Sequence, residues 1–254
     1  MRIKFNKEIE FFFKKLFFSE TYLLKKKIER LILNNKNKEE EELSLIKDLI
    51  QPGTDVIDVG VYQGIYSYEM AKYSRTVHSF EPNPIIYDYL DRNLKKIIRN
   101  MKLYHYALSD ISKKTYLRVP IRNKKSNKNI YENYYKMGRA TIHENNYIEN
   151  YEKFTVQTKK IDEIDLNYKV SLIKIDVEGH EMEVINGATN LIKKYHPTLI
   201  VEIEEKYSKN SVKNTIEKIN SFGYEAFFLE DSVLKNVRIL KDFNLYRNFI
   251  FKRT

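Results

Sequence analysis

Apolar residues recur along the chain with two periods, and the change between them divides it. Over 5–33, Phe5, Ile9, Phe12, Phe13, Leu16, Phe17, Leu24, Ile28, Leu31 and Ile32 share one face at helical spacing, with lysines opposite. Ser19 suits an N-cap that splits this stretch into two helices. A polar junction at 34–42 leads into a helix that Gln51-Pro52-Gly53 ends after Ile50. From Asp55 the pattern becomes that of strands alternating with helices. Strands are predicted at 55–59, 76–80, 102–108, 171–177 and 198–203, with late strands at 224–230 and 244–251. Helices fit at 64–74, 84–99, 181–195 and 210–222. The alternation predicts an α/β fold: a doubly wound, mostly parallel, seven-stranded sheet behind an N-terminal helical extension. Its ligand crevice is expected at the carboxyl ends of the first and fourth strands.

One segment breaks the rhythm. Residues 112–160 show no clear helix and alternate like a hairpin at 115–119 and 155–159, around a polar stretch rich in Lys, Asn and Tyr. A loop of this length is expected to be functional, so it reads as a substrate-facing insertion with a mobile tip. Tyr116, Tyr131, Tyr134 and Tyr135 are expected to shape the substrate pocket.

Composition narrows the chemistry. The 254 residues are 42% hydrophobic, enough for a packed core. No cysteine is present, which excludes disulfides, thiolate metal sites and a cysteine nucleophile. It agrees with the reducing cytoplasm expected as the compartment. The basic N-terminus has no apolar run of leader length, because Lys14 and Lys15 interrupt its phenylalanines, and no stretch nears the roughly 18 residues of a membrane span. The net charge of +10 invites a nucleic-acid or anionic-membrane partner. Lysine, however, outnumbers arginine about three to one in a chain rich in Asn, Ile and Tyr, as AT-rich genomes tend to encode. The charge is therefore not read as a nucleic-acid signal. The 5–33 helix reads first as folded onto the main domain or a homodimer mate, and second as a peripheral membrane contact. Monomer and homodimer both stay open.

Four sites carry candidate chemistry. Asp58-Val-Gly60-Val-Tyr62-Gln-Gly64 makes a glycine turn after the first strand, letting backbone approach a ligand, but it is not G-x-G-x-x-G. Asp58 suits a cofactor bearing an ammonium and a sulfonium better than a pyrophosphate. Glu81, at the end of the second strand, is placed to accept both hydroxyls of a ribose, and Pro82 and Pro84 end that strand. Leu108, Ser109 and Asp110 follow the third strand, where Leu108 suits an adenine face and Asp110 its exocyclic amine. The fourth and most specific is Lys174-Ile-Asp176-Val-Glu178-Gly179-His180-Glu181, followed by Asn186-Gly187-Ala188. Read as strand, it puts Asp176 and Glu178 on one face, and Gly179 turns the chain into a helix.

These motifs together, above all Ile-Asp-Val-Glu-Gly-His-Glu at 175–181 with Asn-Gly-Ala at 186–188, resemble the FkbM family of S-adenosylmethionine-dependent methyltransferases. The resemblance covers roughly 43–254, the methyltransferase domain. It leaves out the helical extension 1–42 and the insertion tip, and the glycine turn departs from the family's Ala-Asn by having Val61 and Tyr62. It implies a class I methyltransferase sheet, S-adenosylmethionine as cofactor, and O-methylation of sugars or secondary metabolites. Carried onto this chain, the cofactor set is Asp58, Gly60, Tyr62, Gly64, Glu81, Pro82, Leu108, Ser109, Asp110 and Asp176.

Methylating a hydroxyl calls for a general base, and His180 is the first candidate, its ordinary pKa being about 6.5. Asp176, Glu178 and Glu202 are candidates to orient it or to bind acceptor hydroxyls. No metal site is assigned, although Asp176, Glu178 and His180 offer a metal-assisted alternative. RNA 2′-O-methylation through Asp176 and Glu202 is the rival enzyme, with no aromatic–basic RNA-binding module to support it. From other classes, a nicotinamide-dependent oxidoreductase and a non-catalytic binding module are the alternatives.

Overall fold

The computed structural model describes residues 19–34, 40–121, 137–143, 148–206 and 211–253. The strands are β1 (Asp55–Val59), β2 (Thr76–Phe80), β3 (Met101–Tyr104), β4 (Ala107–Leu108), β5 (Lys114–Pro120), β6 (Tyr151–Lys159), β7 (Val170–Ile175), β8 (Thr198–Glu202), β9 (Tyr224–Glu230), β10 (Val233–Asn236) and β11 (Asn248–Arg253). The helices are α1 (Glu20–Asn34), α2 (Ile46–Leu49), α3 (Ile65–Ala71), α4 (Pro84–Ile97), α5 (Glu181–Asn186), α6 (Thr189–Tyr195) and α7 (Ser211–Asn220).

The main sheet runs β10-β9-β11-β8-β7-β1-β2-β3. Its five strands from β8 to β3 are parallel, and β11 lies antiparallel between β8 and β9. β1 and β7 are buried along their whole length, as an apolar run between two helical layers must be. The side chains of Ile57, Val59, Ile173 and Ile175 pack with α5, α6 and α7 on one face. Val56, Leu172 and Ile200 pack on the other with α2 and the 3-10 turn Glu41–Leu45. Order reverses at β1, which leads to β2 on one side and meets β7 on the other. That reversal opens a crevice at the carboxyl edge.

Several predicted boundaries shift. The sheet has eight strands rather than seven, because Asp231 and Ser232 turn β9 back into β10 through two positive-φ residues. The third predicted strand divides, and Ala107–Leu108 leaves the main sheet to pair with β6. The helix expected at 181–195 breaks at Gly187, and Asp162 caps its second half by accepting from Asn190 and Leu191 N–H at 2.9 Å each. β7 ends at Ile175, so Asp176 and Glu178 do not share a strand face. Glu178 instead takes a left-handed φ of 54°. The hairpin of the insertion forms as β5 against β6, while 122–136, the expected mobile tip with Tyr131, Tyr134 and Tyr135, lies outside the described residues. The helix expected over 5–33 is described from Ser19. That serine's Oγ accepts Tyr22 N–H, and Leu24 and Ile28 pack against α4. Among the described residues no helix is long and apolar enough to cross a membrane.

Two glycines set how closely loops meet at the crevice. A Cβ on Gly60, where φ is 88°, would lie 1.9 Å from the Asp176 carbonyl oxygen. A Cβ on Gly187 would lie 2.0 Å from the Ser109 carbonyl oxygen. Gly60→Ala and Gly187→Ala should each cost at least about 2 kcal/mol in urea denaturation. Gly53→Ala, whose Cβ meets nothing within 4 Å at a φ of 77°, should cost only the left-handed strain of about 1 kcal/mol. Equal losses at all three would show that strain, not close approach, dominates.

Candidate active site

A cavity of about 320 Å³ opens where β1, β2 and β7 end. Gly60, Tyr62, Glu81, Pro82, Leu108, Asp176, Glu178, His180 and Glu202, all singled out from the sequence, line it. Asp58, Gly64, Ser109 and Asp110 do not. Asp58 faces back into the protein, where it accepts a hydrogen bond from Ser67 Oγ on α3. It therefore supports the glycine turn from below. Gly64 caps α3 and packs against Leu94. Ser109 reaches the site through another residue, as set out below.

Glu81 is the best-anchored group. Its Oε2 accepts Tyr62 N–H and its Oε1 accepts Asn83 N–H, both at 2.9 Å. Each oxygen keeps a second lone pair, so a 5%-exposed carboxylate faces the cavity at a fixed angle. Burial pushes it up to about 7, against the pull of those two N–H groups. Beside it, Phe80, Ile86 and Leu108 make an apolar slot. A fixed acceptor for a diol next to a slot for a flat ring suits the nucleoside of S-adenosylmethionine.

The opposite end of the cavity is ionisable. Asp176 is driven well above the usual carboxylate range by burial, against the attraction of Lys174, and it shares a hydrogen bond with Glu202. Glu178 is pushed by burial to about 7, with Lys206 opposing at 3.9 Å. His180 is lowered by burial, which favours the neutral ring. Its Nε2 shares a 2.9 Å hydrogen bond with Ser109 Oγ, which also donates to Asp110 Oδ1 at 3.2 Å. Its Nδ1 is buried without a hydrogen-bond partner among the described residues, 3.5 Å from Glu183. Glu181 stabilises the turn itself, accepting Gly179 N–H at 2.9 Å. Among the described residues no three His, Asp or Glu groups converge as metal ligands, so Asp176, Glu178 and His180 do not assemble that alternative here.

Sequence reasoning missed the roof. Met137, Gly138, Arg139, Ala140 and Ile142, from the insertion, close over the cavity, and Gly138 sits against the Tyr62 ring. Gly138 in a chain with only seven glycines was the available signal. Tyr116, expected in the pocket, is 59% exposed on the outer face of the hairpin. It also missed Lys174 as a structural ion. Its ammonium is 1% exposed, donates to Asn248 Oδ1 at 2.8 Å and lies 3.9 Å from Glu202.

The methyltransferase FkbM domain matches residues 58–226. The chain belongs to the FkbM methyltransferase family. A crystal structure of methyltransferase FkbM from Methylobacillus flagellatus is similar at 14% identity and a TM-score of 0.53. The similarity covers 85% of this chain and 48% of that one, so this FkbM chain spans about half that protein's length. A Streptococcus mutans protein crystallised with SAH is similar at 8% identity and a TM-score of 0.50, over 85% of this chain and 97% of that one. No curated protein sequence matches. The fold is that of class I methyltransferases, and the cofactor of this family member is S-adenosylmethionine.

Two outcomes follow for this FkbM protein. Lys174→Met should destabilise it by about 3–5 kcal/mol in chemical denaturation, because it strands buried carboxylates. Stability should also fall as pH rises through about 7. Folded Glu42, Glu81, Glu178 and Glu181 hold protons up to about 7 because they are buried, whereas an unfolded Glu releases its proton near about 4.3. Buried His78 and His180, lowered in the fold, oppose this only up to their ordinary value of about 6.5. The thermal midpoint should therefore drop between about pH 6.5 and pH 8.5. A flat profile over that range would contradict these assignments.

Proposed function

We propose that the protein transfers a methyl group from S-adenosylmethionine to a hydroxyl of a small molecule or saccharide. The observation that carries this reading is the polarity of the cavity, with a held diol acceptor at one end and neutral-prone bases at the other. The bound cofactor supplies a methyl group on a sulfonium, already primed for displacement. Glu81 orients the nucleoside, and Leu108 and Ile86 exclude water from its ring. Arg139 and its neighbours roof the acceptor side. His180, kept neutral by burial, takes up the acceptor's hydroxyl proton, and Ser109 fixes the ring for that task. Asp176, driven up by burial and hydrogen-bonded to Glu202, presents its remaining oxygen to acceptor hydroxyls.

A second reading, methylation of an RNA ribose hydroxyl, has one observation in its favour. On the outer face of the insertion hairpin Arg118 pairs directly across from Lys153, whose ammonium lies over the Tyr116 and Tyr151 rings at 5.6 and 5.9 Å. Like charges side by side are unfavourable unless an anion joins them. Tight, steeply salt-dependent binding of single-stranded RNA would favour this reading over the small acceptor.

The site assignment is tested in two ways. Glu81→Ala should weaken S-adenosylhomocysteine binding by about tenfold or more in calorimetry, the worth of hydrogen bonds to a charged group. His180→Ala and Asp176→Ala should lower turnover by about 10²–10⁴-fold while S-adenosylhomocysteine affinity stays near wild type. Undiminished turnover in both would remove these residues from catalysis.

A further inference from the structure

A second, larger cavity of about 730 Å³ lies behind Glu202 at the same edge of the sheet. The 3-10 turn Glu41–Leu45, the end of β8, the β9–β10 turn and the segment entering β11 form its walls. Six acids line it: Glu40, Glu41, Glu42, Glu202, Glu230 and Asp231. Arg247 is the single cation among the described lining residues, and it is exposed, leaning toward Glu204 at 3.9 Å.

Some of this charge is accounted for. Glu230 is bridged by Lys235 and accepts from Tyr246 Oη. Glu202 is bonded to Asp176 and lies 3.9 Å from Lys174. Glu42 is different. It is 8% exposed, its carboxylate bonds to its own backbone N–H, and its Oε2 has no hydrogen-bond partner among the described residues. Glu41 Oε2 is likewise buried without one among the described residues. Buried carboxylate oxygens are nearly always satisfied, because desolvation is otherwise uncompensated. Two in one acidic wall point to a cation as the missing partner.

The shape of the wall selects the kind of cation. Its acids do not converge as metal ligands among the described residues. Leu229, Leu245 and the Tyr246 ring supply apolar and aromatic surface between the carboxylates, which suits a carbon frame bearing an ammonium. Glu202 belongs to both cavities. A molecule seated against Glu42 therefore abuts the place where the acceptor hydroxyl is expected.

We propose that this acidic cavity binds the ammonium of the methyl acceptor, so that the acceptor is a hydroxyl compound carrying a protonated amine, of the amino-sugar or amino-alcohol class. The inference rests on the first cavity being the cofactor and acceptor site. Glu42 and Glu41 are the specificity-determining groups, and Glu202 joins recognition of the amine to the site of transfer.

Calorimetry on the full chain tests this with glucosamine and putrescine as probes, against glucose and 1,4-butanediol as neutral counterparts. Both amines should bind saturably and at least about tenfold more tightly than their counterparts, as expected for charge-assisted contacts. Glu42→Gln, and Glu41→Gln with Glu42→Gln, should abolish most of that preference and leave S-adenosylhomocysteine affinity unchanged. Equal binding of amine and neutral probe by the wild-type chain overturns the proposal, whatever the variants do. So does an undiminished preference in Glu42→Gln. If wild type binds S-adenosylhomocysteine but shows no amine preference, only this inference fails. If it binds amines but not S-adenosylhomocysteine, the cofactor-site reading fails instead.

Discussion

The buried ammonium of Lys174 is the interaction on which the active edge depends. It sits near the centre of the parallel sheet, over the Tyr66 ring at 4.9 Å, with Asn248 as its closest acceptor. Asp58, Asp176 and Glu42 all feel its attraction, and each is also strongly desolvated. One cation thus lets a carboxylate-rich edge fold at all. It neutralises only part of that charge. What is left over keeps protons near neutral pH and leaves acceptors free for ligands. The same residue connects the two cavities electrostatically, because Glu202 lies between them.

Around that ion, backbone fit determines the cavity's shape. Val59 and Phe80 carbonyls accept Asp176 and Gly60 N–H, which fastens the ends of β1, β2 and β7 together. Gly60 and Gly187 then allow contacts that any side chain would block. The loop after β7 is consequently held tightly, with Glu178 in a left-handed conformation whose carbonyl accepts Thr141 Oγ1 at 3.0 Å. This bond ties the insertion to the loop after β7. Strain of that kind persists only where surrounding contacts over-determine it.

The walls of the two cavities are built from parts far apart in sequence. The insertion roofs the smaller cavity, and the turn before α2 brings three glutamates to the far side of Glu202. The fold is shared with structures of low identity. Substrate choice belongs to such grafted elements rather than to the sheet.

The strand–helix alternation, the position of the crevice and the presence of Glu81, Asp176, Glu178 and His180 at it were legible in the sequence. They depend on local period, on glycine placement and on a contiguous motif. Apolar runs predict strands because burial is uniform along them, but they cannot say where a strand stops. β7 therefore ended two residues early, and Glu178 became a loop residue. Asp58 reads from the sequence as a carboxylate suited to a cationic cofactor, and only the folded chain shows that it accepts a hydrogen bond from Ser67 on α3. Lys174 resembled any other lysine in a basic chain until the sheet enclosed it. The acidic cavity joins residues 40–42, 202, 230–231 and 245–248, a proximity that no local pattern encodes. Sequence determined which chemistry is available at the edge of the sheet. Tertiary structure alone decided which of those charges are buried, which are paired and which are left to meet a ligand, because burial and pairing arise only when distant segments share one space.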